Sequence, residues 1–258
     1  MFFITFTLLQ NTTPILSVFF HNYYGNDHEW LSYFTRELTL PFHLFYNGVA
    51  DSYYRITQQA TPFNPEQVAG SKLIQVHKRT STNKGKDIGG KLLLMDIWLK
   101  LGIQSDYILL LHDKHSPYHS HSQNWKKDLF RIAEKEHQQN IADLFNNPQT
   151  GIVASKNAIR NEVDNEQKSN AYIDSALIQS LKNKYHIQPP DLQFVAGTMF
   201  WVRASLFKEF FTQYPPLQIR SELEQGNVTD VDGPTVAHSW ERLLCWLVTS
   251  KGYQISGI

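Results

Sequence analysis

Residues 106–114 read Asp106-Tyr107-Ile108-Leu109-Leu110-Leu111-His112-Asp113-Lys114. From Asp106 to Leu111 the run is short and almost wholly apolar, with no alternation of polar and apolar positions. That pattern predicts a strand buried on both faces, as in a parallel sheet. Three ionisable residues then end it together. A buried strand gains no stability from them, so His112, Asp113 and Lys114 mark a working edge. In open α/β sheets, ligands bind beyond the carboxyl ends of the strands.

The same reading extends outward. Ile15–His21 (ILSVFFH) is another apolar run of this kind, and Phe42–Asn47 and Lys72–His77 are the next strands. Between the first two, Asp27–Leu38 carries Trp30, Leu31, Phe34 and Leu38 at near-helical spacing. Asn83–Gly90 reads as a glycine-bearing loop. Lys91–Leu101 reads as a mostly buried helix, with Asp96 and Lys100 as its polar exceptions. Further on, the pattern predicts one broken helix or a helix pair over Trp125–Phe145. It predicts a strand at Gly151–Ala154, a charged loop at Arg160–Ser169 and a helix at Ala171–Tyr185. Phe194–Val202 reads as a strand, with Gly197 marking a bulge or close approach. Ser239–Lys251 reads as a last helix stopped by Gly252. Alternating strands and helices make this an α/β protein, one domain with a mostly parallel central sheet flanked by helices.

The 258 residues suffice for a core without disulfides or structural metal. Lys+Arg and Asp+Glu are 24 each, which argues against a nucleic-acid wrapper. The single cysteine, Cys245, cannot form an internal disulfide and fits a reducing compartment. The apolar stretch Met1–Leu9 falls far short of the ~20 residues of a membrane span and lacks a basic start. These features point to a cytoplasmic protein, with surface contact at a membrane left open.

Three polar clusters could carry chemistry. The first, Asn83-Lys84-Gly85-Lys86-Asp87-Ile88-Gly89, follows a strand and could offer amides and lysines to phosphate. It matches neither a Walker loop nor a dinucleotide fingerprint, and a plain capped loop is its ordinary explanation. In the second, Asp113 could hold a divalent cation bridging a diphosphate, or Lys114 could neutralise the same charge alone. His112, His115, His119 and His121 also invite a zinc reading, though a loop of histidines is no zinc signature by itself. The third is Asp232–Arg242 (DGPTVAHSWER). His238 and Glu241 lie three apart and can share a helix face, and Glu241-Arg242 alternatively reads as a structural ion pair. Gly197 and Thr198 could let a substrate approach the backbone.

NKGKDIG, DYILLLHDK, FVAGTMFWVR and DGPTVAHSWER, in that order and with SVFFHNYYG before them, resemble the rhamnan synthesis protein F family. The resemblance runs from about Ile15 to Tyr253. It implies a bacterial glycosyltransferase of rhamnan, O-antigen and related polysaccharide assembly. It also implies a single GT-A-like, Rossmann-like domain, its nucleotide-sugar half near residues 15–115 and its acceptor half near 150–258. On this resemblance Asn83, Gly85, Asp87, His112 and Lys114 belong to the donor diphosphate. Gly197, Thr198, His238 and Arg242 belong to sugar or acceptor, Asp232 and Glu241 are candidate bases, and Asp113 is the metal position. His-Asp-Lys departs from the usual Asp-x-Asp, so Mg²⁺ or Mn²⁺ at Asp113 and a metal-free mechanism using Lys114 both stay open. Arg203 is a weaker candidate for phosphate or acceptor contact. The implied partners are a nucleotide sugar, dTDP-rhamnose first, and a glycan or lipid-linked glycan acceptor at the inner face of the membrane. The rivals are a non-catalytic glycan-binding module and a metal-dependent hydrolase using the histidines.

Overall fold

The computed structural model describes residues 13–25, 27–52, 70–113, 122–163, 175–229, 231 and 233–258. Two of the apolar runs lie side by side: β1 (Leu16–Asn22) and β4 (Tyr107–His112) pair in parallel, with His21 opposite His112. On the other side β1 pairs in parallel with β2 (Phe42–Val49), and β2 with the edge strand β3 (Leu73–Ser81). Every residue of β1 is buried, which is why it reads as a continuous apolar run. The helices α1 (Asp27–Glu37) and α2 (Lys86–Leu101) make the crossovers β1–α1–β2 and β3–α2–β4.

The full sheet has the order β3-β2-β1-β4-β8-β5-β9. Its second half uses β5 (Thr150–Ala154), β8 (Phe200–Arg203) and β9 (Gln254–Gly257). β8 runs antiparallel to both β4 and β5, whereas β5 and β9 are parallel. This reversal matters for the site. Phe200 lies opposite Leu110, so the residues just before it reach the carboxyl end of β4. Order and direction place the ends of β1, β2, β3 and β4 on one edge, with the topological switch between β1 and β4.

Helices cover the sheet. α3 (Ser122–Phe130) and α4 (Gln138–Phe145) are joined by two 3₁₀ turns, resolving Trp125–Phe145 into a pair. α5 (Ala176–Lys184), α6 (Ala204–Gln213), α7 (Pro216–Ser221) and α8 (Val236–Thr249) complete the set. Trp98 of α2 meets Phe19 edge-on at 6.2 Å, and Trp240 and Trp246 of α8 are buried.

Three expectations are corrected. Phe194–Val202 is not one strand: β7 (Gln193–Val195) pairs with β6 (Ile159–Asn161) in a separate ladder, and the chain turns before β8. Gly197 (φ 82) and Thr198 (φ 49) have left-handed backbones that cannot continue a strand. The charged segment from Arg160 is not all loop, since β6 holds Arg160 and Asn161 and Glu162 is buried. Asn83–Gly90 is likewise not all loop, because α2 begins at Lys86. Its glycines serve packing: a Cβ on Gly90 would lie 1.9 Å from His21 Nδ1. α6, α7 and β9 had no counterpart in the sequence reading.

Gly90→Ala should therefore force α2 off β1 and cost about 1–3 kcal/mol, as overpacking does. A urea midpoint equal to wild type would show that His21 moves freely.

Candidate functional site

The first turn of α2, the end of β4, the turn between β7 and β8 and the start of α8 enclose a cleft of about 140 Å³. Lys86, Asp87 and Ile88 form one wall and Ala237, His238 and Glu241 face them. His112, Gly197 and Thr198 also line it. Six residues singled out in the sequence thus meet here: Asp87, His112, Gly197, Thr198, His238 and Glu241.

Behind the cleft lies Lys91, which sequence reasoning missed. Its side chain is 2 % exposed. Its ammonium reaches Asp87 Oδ2 at 2.9 Å, His112 Nδ1 at 3.1 Å, the Thr198 carbonyl at 2.8 Å and Thr198 Oγ1 at 2.6 Å. Thr198 Oγ1 in turn donates to Asp87 Oδ2 at 2.6 Å. The His112 ring lies beside both members of this pair, its Nδ1 3.5 Å from Asp87 Oδ2. Burial pushes the Asp87 carboxyl up, but Lys91, His112 and the bonds from Thr198 and Lys91 outweigh it and hold it well below the usual carboxylate range. The signal for Lys91 was present: a cation in an apolar helix, one helical turn after Asp87.

On the opposite wall Glu241 is held from both sides. Its Oε1 accepts the Gly197 amide at 2.6 Å and its Oε2 accepts Arg242 Nη1 at 2.9 Å. Arg242 also donates from Nε to buried Glu162 at 2.6 Å and lies 4.5 Å from the centre of the Phe194 ring. The Arg242 guanidinium thus orients Glu241 from behind, and its charge is committed there. No sequence signal marked Glu162.

Two helix N-termini face the cleft, and they differ. Glu224 caps α8 by accepting the amides of Val236 and Ala237, and Thr235 accepts that of His238. α2 starts at Gly85 with no side-chain cap. Lys86, its first residue, donates to the Val228 carbonyl at 3.2 Å and approaches His238 Nε2 at 3.4 Å. Among the described residues it has no carboxylate partner. The α2 end therefore offers amides and an ammonium to an anion.

Other expected residues sit elsewhere. Asn83 and Gly85 are stitched to the segment before α8. Asn83 Nδ2 donates to Asn227 Oδ1 at 2.8 Å, and the Gly85 amide to the Glu224 carbonyl at 2.7 Å. A Cβ on Gly85 would lie 2.2 Å from Leu223 Cδ1, so its need for glycine is one of packing as well as backbone. Asp113 is 6 % exposed and its two oxygens accept the amides of Tyr23 and Tyr24. It ties the loop after β1 to the end of β4. Arg203 lies at the opposite sheet edge, across from Tyr107, holding the carbonyls of Phe145, Asn147 and Thr150. Lys114, His115, His119, His121 and Asp232 fall outside the described residues. Among the described residues, metal-type donors gather only at Glu134, Glu136 and His137, none of which lines the cleft.

A sequence model of rhamnan synthesis protein F matches residues 7–253, nearly the whole chain. The chain belongs to that family. Its role thus lies in rhamnan synthesis, a form of polysaccharide biosynthesis. No curated protein matches the chain. Among the described residues no helix is long and apolar enough to cross a membrane.

Lys91→Met should strip the cation from Asp87 and cost about 3–5 kcal/mol in urea unfolding. Because the folded pKa of Asp87 is lowered, its stabilisation is complete above the unfolded value of about 3.9 and is lost as pH falls through the folded value. The stability gap between wild type and Asp87→Asn should hold steady at neutral pH and close only in strong acid. A gap that closes near neutrality would contradict this.

Proposed function

We propose that this protein is a glycosyltransferase of the GT-A-like type. In this reading it moves a hexosyl group, foremost rhamnose from dTDP-rhamnose, onto a growing glycan or lipid-linked glycan at the inner face of the membrane. The observation that carries the reading is the opposition of charge across one cleft. An uncapped helix start with Lys86 faces a carboxylate, Glu241, which the Gly197 amide and Arg242 hold in place. The first suits a diphosphate and the second suits a hydroxyl. The β3-β2-β1-β4 order and the switch point beside His112 further support a nucleotide at this edge.

The chemistry is a single inverting displacement. The acceptor oxygen bonds to the anomeric carbon as the bond from that carbon to the diphosphate oxygen breaks. Glu241, with Asp232 the other candidate, takes the acceptor proton. The leaving diphosphate takes the bonding electrons and is stabilised by Lys86, the α2 amides and His112, with Lys114 a further candidate cation. Lys91 offsets the charge of Asp87, so that carboxylate does not repel the diphosphate. Asp113 fits a divalent-ion ligand poorly, since both its oxygens already serve backbone amides. We therefore route no step through Mg²⁺ or Mn²⁺.

Glu241→Gln should lower sugar transfer about 10²–10⁴-fold while leaving donor affinity unchanged. Transfer of labelled sugar to a glycan acceptor reads this out, with Asp232→Asn beside it. Wild-type turnover in both variants would sink the assignment of the base. Lys86→Ala should weaken donor binding roughly tenfold or more, the value of a hydrogen bond to a charged group.

A further inference from the structure

A second hollow, of about 190 Å³, opens where the chain after α5, the last turn of α6 and the end of α8 meet. Tyr185, Phe210 and Tyr214 form its floor, with Tyr214 packed edge-on to Tyr185 at 5.2 Å and 4.9 Å from Phe210. Its rim is polar. Gln213 donates to the Tyr214 hydroxyl at 3.2 Å, and Lys251 pairs with Glu209, so the rim carries no net charge from that pair. Ser250 borders the hollow, but its hydroxyl oxygen is shut off from the surface. His186, also on the rim, takes the left-handed conformation that ends α5, with the Ile187 amide donating back to the Lys182 carbonyl at 2.9 Å.

This hollow is separate from the cleft. α8 runs from His238 at the cleft to the turn at Ser250, about 18 Å of helix rise. A diphosphate would find a neutralised ammonium here. A neutral, hydroxyl-rich ring would find the half-buried Tyr214 ring for its C–H face, and amide and phenol groups for its edge.

We propose that this hollow is a saccharide-binding subsite that holds an internal sugar unit of the growing glycan. Anchoring the chain here raises the local concentration of its end at the cleft. The binding rests on membership of a polysaccharide-building family and on the hollow itself, and its benefit to transfer rests on the proposed transferase reading.

The test titrates a nucleotide-free rhamnan oligosaccharide into the full chain and follows backbone amides by NMR. Shifts are expected at His186, Tyr214 and Lys251, with affinity falling at least tenfold in Gln213→Ala and in Tyr214→Ala. Gln213 is exposed, so its variant keeps the fold even where loss of the Tyr214 ring loosens α6. Shifts confined to the cleft, binding unchanged by Gln213→Ala, or no shifts at all would each overturn the proposal. Donor binding at Lys86 is scored separately with a nucleotide sugar. Its loss, with the hollow still binding oligosaccharide, would sink the transferase reading alone.

Discussion

The site depends on one buried ammonium. Lys91 joins the helix that opens the cleft, the end of the central strand and the turn that leads into β8. An unpaired lysine in that position would cost several kcal/mol, so its partners are constrained as tightly as it is. Thr198 accepts from it through both its carbonyl and its hydroxyl while holding a left-handed backbone. That backbone turns the chain and aims the Gly197 amide at Glu241. The dependence then runs through Arg242 to Glu162, so two charge networks on opposite walls are coupled through two residues of one turn.

The reversed strand makes this coupling possible. If β8 ran parallel to β4, the residues before Phe200 would lie at the far edge, beside Tyr107. Running antiparallel, it brings Gly197 and Thr198 to the carboxyl edge, where α2 begins. The two helix starts at this edge are used differently. The start of α8 is filled by Glu224 of the chain itself, which fixes that helix and keeps His238 and Glu241 in register. The start of α2 has no side-chain cap.

The parallel half of the sheet was legible because burial on both faces writes itself as unbroken apolar runs, as in SVFF and ILLL. The ionisable cluster that ends β4 was visible too, but its residues divide: His112 lines the cleft, whereas Asp113 holds the amides of Tyr23 and Tyr24. The strand at Phe194–Val202 misled because composition reports burial but not the sign of φ, and Thr198 is a residue type that seldom turns left-handed. Asn83 and Gly85 show a related limit: a polar, glycine-rich stretch reads the same whether it cradles a ligand or, as these two do, packs against Leu223 and Asn227. Lys91 was hidden in plain view, as one cation in an apolar helix whose partner stood one turn earlier. Glu162 left no trace, since its meaning comes only from an arginine eighty residues later.

The most direct test of the account is calorimetry of nucleotide sugars with the full chain, dTDP-rhamnose against UDP- and GDP-sugars, with Mn²⁺ and then with EDTA. The account predicts saturable binding of one donor that survives EDTA. Binding that vanishes with EDTA would return the diphosphate to a metal at Asp113, and no binding to any donor by the folded protein would contradict the transferase reading outright.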